Sequence, residues 1–188
     1  MKTLADLELQ DMTWVKARRR GWFDKPRFEL RAGSGEVLAT IVRKGGLRSG
    51  AVVDAPGSRW LLDYRTRLFK RPVLTIQSVG TGDEPAIFET RGYEGRLIYP
   101  DGRVFTFTRH TRMFKPPRWV WTMEDGSPIL GIELKGTRGE ISLDPDIPTE
   151  VLAQKAPPLL LFLGWYLILL YEDTQMAASV AAMAAVSG

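Results

Sequence analysis

Short segments in which apolar and polar residues alternate fill the first 143 residues of the chain. Alternation with a period of two is typical of strands that bury one face, and turn residues separate these segments every eight to twelve or so positions. Gly33-Ser34-Gly35, Asp101-Gly102 and Asp125-Gly126 each lie between two such segments. Because Asp-Gly between alternating segments is a strong hairpin signal, the pattern predicts a mainly β fold built from hairpins.

A longer repeat is superimposed on the hairpins. Three Phe-x-x-Pro frames begin at Phe23, Phe69 and Phe114, and their prolines lie 46 and then 45 residues apart. After each frame the pattern predicts a meander, with four strands in the first two units and three in the third. Residues 12–17 supply one further strand, which brings the predicted total to twelve. The alternative is that any β chain resembles itself at this spacing.

An uncharged apolar run occupies residues 159–171, directly after Pro157-Pro158. Proline suits the first turn of a helix, so the run predicts a helix over residues 158–171. It is shorter than the 20 or so residues that a bilayer span needs. A helix that is apolar on all sides must be enclosed by other parts of the protein.

The dimensions of strands and helix suggest how the helix is enclosed. Twelve strands about 4.8 Å apart and tilted by about 40° close into a barrel roughly 24 Å wide, and a helix with its side chains is about 10–12 Å wide. We therefore predict a twelve-stranded closed β-barrel enclosing a hydrophobic C-terminal α-helix. Residues 1–171 form this single domain, and residues 172–188 form an Ala-rich tail. A tail-anchored membrane protein is the topological alternative.

Composition excludes several kinds of chemistry. The chain has no cysteine and one histidine, which excludes disulfides, thiolate nucleophiles, cysteine-based metal sites and multi-histidine metal centres. His110 has no hydroxyl or thiol partner whose proximity the sequence supports, and Asp144 and Asp146 have the context of turn-forming acids. We therefore expect no catalytic residue, no metal and no cofactor. The acidic N-terminus lacks the apolar core of a signal peptide, so we expect a cytoplasmic protein.

Charge is distributed unevenly along the chain. Residues 1–120 hold 23 Lys and Arg against 13 Asp and Glu, whereas residues 121–188 hold 3 against 9. The difference predicts a basic face for an anionic partner, or two halves that neutralise each other across the folded surface.

The cations cluster beside aromatic residues in three segments, which are Arg18–Phe23, Arg65–Arg71 and Arg109–Lys115. Cations beside aromatics suit an anionic membrane surface, where each basic residue is worth about 1 kcal/mol, and they also suit nucleic-acid phosphates. The alternative is that the Phe side chains plug the barrel ends while the cations stay solvated. The candidate lipid-binding residues are Arg67, Lys70, Arg71, Arg112 and Lys115.

Residues 12–171 resemble the tubby C-terminal-like fold, which tubby proteins, phospholipid scramblases and LURP-one-related proteins share. Two segments carry the resemblance to small bacterial LURP-one-type proteins: Phe-Glu-Leu-Arg-x-Gly-x-Gly-Glu-Val-Leu-Ala at Phe28–Ala39 and Leu-Gly-Trp-Tyr-Leu-Ile-Leu-Leu at Leu163–Leu170. The resemblance implies phospholipid or phosphoinositide binding and membrane association. Neither the tubby headgroup site nor the scramblase calcium-binding segment has a match here, so no ligand residue is transferred.

The predicted function is a non-enzymatic cytoplasmic binding module that associates with anionic phospholipid membranes, peripherally at their inner face. Its expected partners are phospholipid headgroups or a protein, and nucleic acid is the disfavoured partner. The alternative is a structural or protein-interaction barrel without lipid binding.

Overall fold

The computed structural model describes residues 13–16, 27–44, 50–65, 72–80, 84–91, 94–112, 115–135, 140–141 and 159–172. Within them lie twelve strands and one helix, α1, over residues 159–172. The strands are β1 (Thr13–Lys16), β2 (Arg27–Arg31), β3 (Val37–Arg43), β4 (Ala51–Ala55), β5 (Ser58–Arg65), β6 (Val73–Ser78), β7 (Ala86–Arg91), β8 (Glu94–Ile98), β9 (Val104–Arg112), β10 (Lys115–Met123), β11 (Pro128–Lys135) and β12 (Glu140–Ile141).

The strands pair in antiparallel fashion in the order of the chain. Strands β2 to β11 form a continuous sheet of ten strands, each paired with the next. Strand β1 pairs with β2 along four residues, and β12 pairs with β11 at Leu134 and Lys135. Strands β1 and β12 meet at a single residue pair, Thr13 and Glu140. The prediction of a mainly β fold with an apolar C-terminal helix is confirmed.

The three hairpins predicted from turn residues are confirmed, and they share one turn geometry. In β8–β9, the Tyr99 N–H donates to the Arg103 carbonyl (2.9 Å) and the Gly102 N–H donates to the Tyr99 carbonyl (3.0 Å). The β2–β3 and β10–β11 turns repeat this pair of bonds over residues 32–36 and 123–127. Gly102 has a φ of +86°, a conformation that side chains with a Cβ rarely adopt. The turn therefore requires glycine at the position after the aspartate.

The prolines of the repeat frames lie just before a strand or, in the third frame, at a register shift near the start of a strand. Pro26 and Pro72 directly precede β2 and β6, and Pro116-Pro117 lies inside β10 at a register shift between Lys115 and Arg118. Proline has no N–H to donate to a neighbouring strand, so it is confined to strand starts, edges and bulges. Phe23, Phe69 and Phe114 lie outside the described residues. From the repeat in the sequence we predict that their side chains share similar environments.

Helix α1 is buried on all sides along its first half. Leu159–Leu163 are five consecutive residues with 0–5% exposure, and at 3.6 residues per turn they cover every direction around the helix. The Phe162 ring lies 5.6 Å from the Trp60 ring on β5, and the Tyr171 ring lies 6.0 Å from the Trp119 ring on β10. Because β5 and β10 lie far apart in the pairing order, the sheet curves around the helix. The described helix covers residues 159–171 of the predicted range of 158–171 and includes residue 172, whereas residue 158 lies outside the described residues.

Gly164 marks a close approach of the helix to the sheet. A Cβ placed on Gly164 would lie 2.7 Å from Ile132 Cδ1 and 2.8 Å from Trp121 Nε1. Trp119 and Trp121 are 1% and 0% exposed and pack in the core. Trp121 and Ile132 therefore form the surface against which the helix lies at this glycine.

Candidate functional site

The alternating strand directions give the sheet two distinct ends. The connections β2–β3, β4–β5, β6–β7, β8–β9 and β10–β11 lie at one end, which we call the tight-turn end. The connections β1–β2, β3–β4, β5–β6, β7–β8, β9–β10 and β11–β12 lie at the other, which we call the basic end. The three Phe-x-x-Pro frames follow β1, β5 and β9, so an even number of strands separates them and all three begin at the basic end.

The two ends differ in the charge of their connections. By sequence, the segments between paired strands at the basic end contain ten Lys or Arg residues and one Asp. The corresponding segments at the tight-turn end contain one Arg and six Asp or Glu residues. Charge is therefore divided between the two ends of the fold, in a way that differs from its division between the two parts of the sequence.

The candidate lipid-binding residues fall into two groups. Arg112 ends β9 and Lys115 begins β10, and the two residues are backbone partners across this pair of strands at the basic end. Arg67, Lys70 and Arg71 lie outside the described residues, in the chain that joins the basic-end termini of β5 and β6. The strand order thus brings the two groups of candidates to the same end of the sheet.

Further cations lie on the described residues of the basic end. Lys44 is exposed at the end of β3. Arg65 donates to Asp63 Oδ2 from its Nε at 2.8 Å, and Arg27 Nε lies 3.3 Å from Glu29 Oε1. The arginine side chain of each pair is exposed, so solvent strongly screens the attraction between the two charges. The carboxylates therefore reduce the positive potential of this end without cancelling it.

Two arginines at the basic end lie on the inner face of the sheet. Arg109 follows buried Phe105 and Phe107 at alternate positions of β9, and Arg43 follows buried Ile41 in β3. The guanidinium carbon of Arg109 is 4.6 Å from the centre of the Tyr171 ring and 5.9 Å from that of Trp119. Cation–π contacts of this kind stabilise a partly desolvated guanidinium. Arg109 therefore connects the last turn of α1 to β9 and β10.

Arg43 lies close enough to Tyr166 on α1 to affect its ionisation. Burial raises the pKa of Tyr166 to about 12, and the positive charge of Arg43 opposes part of this rise. Arg109, which contacts the last turn of α1, also lies near the partial negative charge of the helix C-terminus. The inward position of both arginines was missed from the sequence, although Arg109 belongs to a basic cluster. The alternation with buried residues on the same strand is the signal that could have identified it.

His110 lies on the outer, exposed face of β9. Its Nε2 is 3.2 Å from the Thr108 hydroxyl oxygen, a neighbour two residues earlier on the same strand face. This partner was not predicted from the sequence, although the strand period of two places both side chains on one face. The pair stands on an exposed sheet surface, whereas nucleophilic catalysis needs a third, orienting group and a water-excluding site.

The described residues contain neither a candidate metal site nor a membrane-spanning helix. Among the described residues, no group of three or more His, Asp or Glu side chains could hold a metal ion. Asp144 and Asp146 lie outside them. No helix in the described ranges is long and apolar enough to cross a bilayer.

Comparison of the chain with protein-family models, with curated proteins and with solved structures finds no match. The site therefore has to be interpreted from its own geometry and charge.

Proposed function

We propose that this protein is a non-enzymatic binding module that associates with anionic phospholipid surfaces through its basic end. The observation that carries the proposal is the sorting of charge, since connections with ten cations and one anion all begin and end on the same side of the sheet. A single cationic end can meet a flat anionic surface with many residues at once. Each cation near such a surface contributes about 1 kcal/mol.

A bilayer fits this end better than a nucleic-acid duplex does. The cations are spread over four connections around the end of a curved sheet, so they present a disc of charge rather than a stripe that follows a groove. By sequence, Trp22, Phe23, Phe69 and Phe114 lie beside the cations. Aromatic side chains are favoured at membrane interfaces, where one side of the ring is apolar and the other contacts water.

The proposed module is a twelve-stranded barrel of the tubby-like kind, closed between β1 and β12. Two observations support closure: β1 pairs with both β2 and β12, and the first half of α1 is buried in every direction. A sheet left open at this seam would expose the helix along one side. The enclosed apolar helix is also the feature on which the resemblance to the tubby-like fold depends.

Flotation with liposomes of defined charge tests lipid binding. Reversing Arg67, Lys70, Arg71, Arg112 and Lys115 to Glu should abolish binding to anionic vesicles and leave the melting temperature nearly unchanged, because exposed charges contribute little to stability. The smaller variant R67E/K70E/R71E should bind at least about 100-fold more weakly, at about 1 kcal/mol for each cation. Binding of the unmodified protein should weaken as salt is raised, because ions screen the interaction.

The matched control is R59E/R96E/R103E, which reverses three exposed arginines away from the basic end. This control should retain most of the binding. Neutral vesicles and duplex DNA at the same salt concentration complete the comparison. A preference for DNA would move the function to nucleic acid, and equal losses in the two triple variants would show that only net charge matters. Absence of binding to all three ligands would leave the protein-interaction alternative.

A further inference from the structure

The tight-turn end has a chemistry of its own, opposite to that of the basic end. Glu36, Glu84 and Glu124 are exposed in the connections β2–β3, β6–β7 and β10–β11. Asp101 and Asp125 are exposed in the connections β8–β9 and β10–β11. Four of the five connections at this end therefore carry exposed carboxylates.

The turn aspartates are held at fixed positions by their own backbone. Asp101 Oδ1 accepts the Arg103 N–H at 3.1 Å, and Asp125 Oδ1 accepts the Ser127 N–H at 2.8 Å. The bond to the Arg103 N–H is the main reason that the pKa of Asp101 lies below its usual value. The tight-turn end therefore presents ordered negative charges across the neutral pH range.

Exposed apolar side chains occur at the same end. Among the described residues, the large hydrophobic side chains that are exposed are Val37 (40%), Val79 (45%) and Ile87 (41%). Val37 begins β3, Val79 directly follows β6, and Ile87 is the second residue of β7, so all three lie at the tight-turn end. Val79 and Ile87 belong to the neighbouring strands β6 and β7, whereas Val37 lies three strands away from β6. Exposed apolar side chains at a charged end are a feature of protein-interaction sites that is independent of the acidic charge.

We propose that the tight-turn end is a docking surface for the basic end of a second copy of this protein. Charge complementarity selects this occupant, because connections with one cation and six anions face connections with ten cations and one anion. The two ends also match in size, since both are ends of the same curved sheet. The aromatic residues that accompany the cations in the sequence complement the exposed aliphatic side chains.

Such a contact has two consequences. It joins two different surfaces, so it is heterologous and leaves a free tight-turn end and a free basic end on every pair, from which an open chain of copies grows. It also occupies the end that would contact a membrane, so in such a chain only the copy with the free basic end can bind a vesicle through that end. The docking proposal does not depend on lipid binding, because it follows from the two ends alone.

Sedimentation at several protein concentrations tests the contact. The unmodified protein should associate at low salt, and its association should weaken at least tenfold between about 0.01 and 0.15 M salt, as the Debye length falls from about 30 to 8 Å. The variant E36K/E84K/E124K leaves four cations and three anions in the tight-turn connections, so that end loses its negative charge and the protein should remain monomeric. The five-residue reversal described above removes most of the positive charge of the basic end and should also remain monomeric.

A mixture of the two monomeric variants provides the decisive measurement. The first variant keeps an unaltered basic end and the second keeps an unaltered tight-turn end, so a one-to-one mixture should associate although neither variant does so alone. Restored association also shows that both variants are folded, and E36Q/E84Q/E124Q, which removes the charges without reversing them, should associate weakly. A monomeric unmodified protein at low salt would overturn the proposal. Association of E36K/E84K/E124K alone, or a mixture that stays monomeric, would overturn it as well.

Discussion

The contact at Gly164 allows a quantitative test of how closely α1 lies against the sheet. Replacing glycine by alanine inside an exposed helix stabilises it by about 1 kcal/mol, because glycine loses more conformational entropy on folding. Here the added Cβ would lie 2.7 Å from Ile132 Cδ1, 2.8 Å from Trp121 Nε1 and 3.4 Å from Phe107 Cε2. Steric conflict and helix propensity therefore act in opposite directions.

Trp121 decides which effect is larger. Ile132 Cδ1 is the end of a flexible side chain and can rotate away at low cost. The indole of Trp121 is fully buried, and its ring lies 4.6 Å from the Phe107 ring and 6.0 Å from the Phe88 ring, measured between centroids. Overpacking a well-packed core costs about 1–3 kcal/mol, which exceeds the propensity gain. We expect Gly164→Ala to lower the free energy of unfolding by about 1 kcal/mol, and Gly164→Val to lower it further.

Equilibrium unfolding in urea, followed by tryptophan fluorescence and circular dichroism, measures the effect. With a slope of about 2 kcal/mol per M, a loss of 1 kcal/mol shifts the midpoint by about 0.5 M. In a Trp121→Phe background the indole nitrogen is absent, and Gly164→Ala should be neutral or stabilising there. The thermodynamic cycle should thus give a coupling of about 1 kcal/mol or more. A higher urea midpoint for Gly164→Ala in the unmodified protein would refute the close approach.

Two further predictions concern the interior. Leu163→Asp should abolish cooperative folding, because an unpaired buried charge costs several kcal/mol against a typical stability of about 5–15 kcal/mol. A cooperative melt after deletion of residues 157–188 would contradict the central role of the helix. Burial raises the pKa of Tyr166 to about 12 from an ordinary value of about 10, so the folded state holds the phenol proton more tightly than the unfolded state does. The free energy of unfolding should therefore fall by about 2–3 kcal/mol in total as pH rises from 10 to 12. Urea midpoints across this pH range should decline less for Tyr166→Phe, and an equal decline would assign the effect to other groups.

Local chemistry explains why the hairpins and the helix could be predicted. Asp101-Gly102 forms its turn through bonds among five neighbouring residues, so the sequence contains everything that the turn needs. The run after Pro158 has no polar face, so it had to be enclosed wherever the rest of the chain lay. Gly164 interrupts a run of large apolar residues, and the proximity of Trp121 and Ile132 is the physical reason for that interruption.

The candidate site was predictable only in part. The basic clusters could be assigned to equivalent connections because the repeat separates them by four strands. Their acidic counterpart could not, since Glu84 and Asp101 belong to the basic part of the sequence and yet lie at the acidic end of the fold. When net charge is counted over two long parts of the chain, it does not show that successive connections alternate between a basic end and an acidic end.

The sequence by itself determined the strands, their turns and the need to enclose an apolar helix, because these depend on neighbouring residues and on burial. Only the tertiary structure decided which side chains face inward at the strand ends and which charges meet. Arg109 lies on the inner face because the pairing of β9 with β10 continues past buried Phe107, and it contacts Tyr171 because the helix returns to that strand from 62 positions later in the chain. Contacts over such separations depend on strand register, which a shift of one residue would reverse.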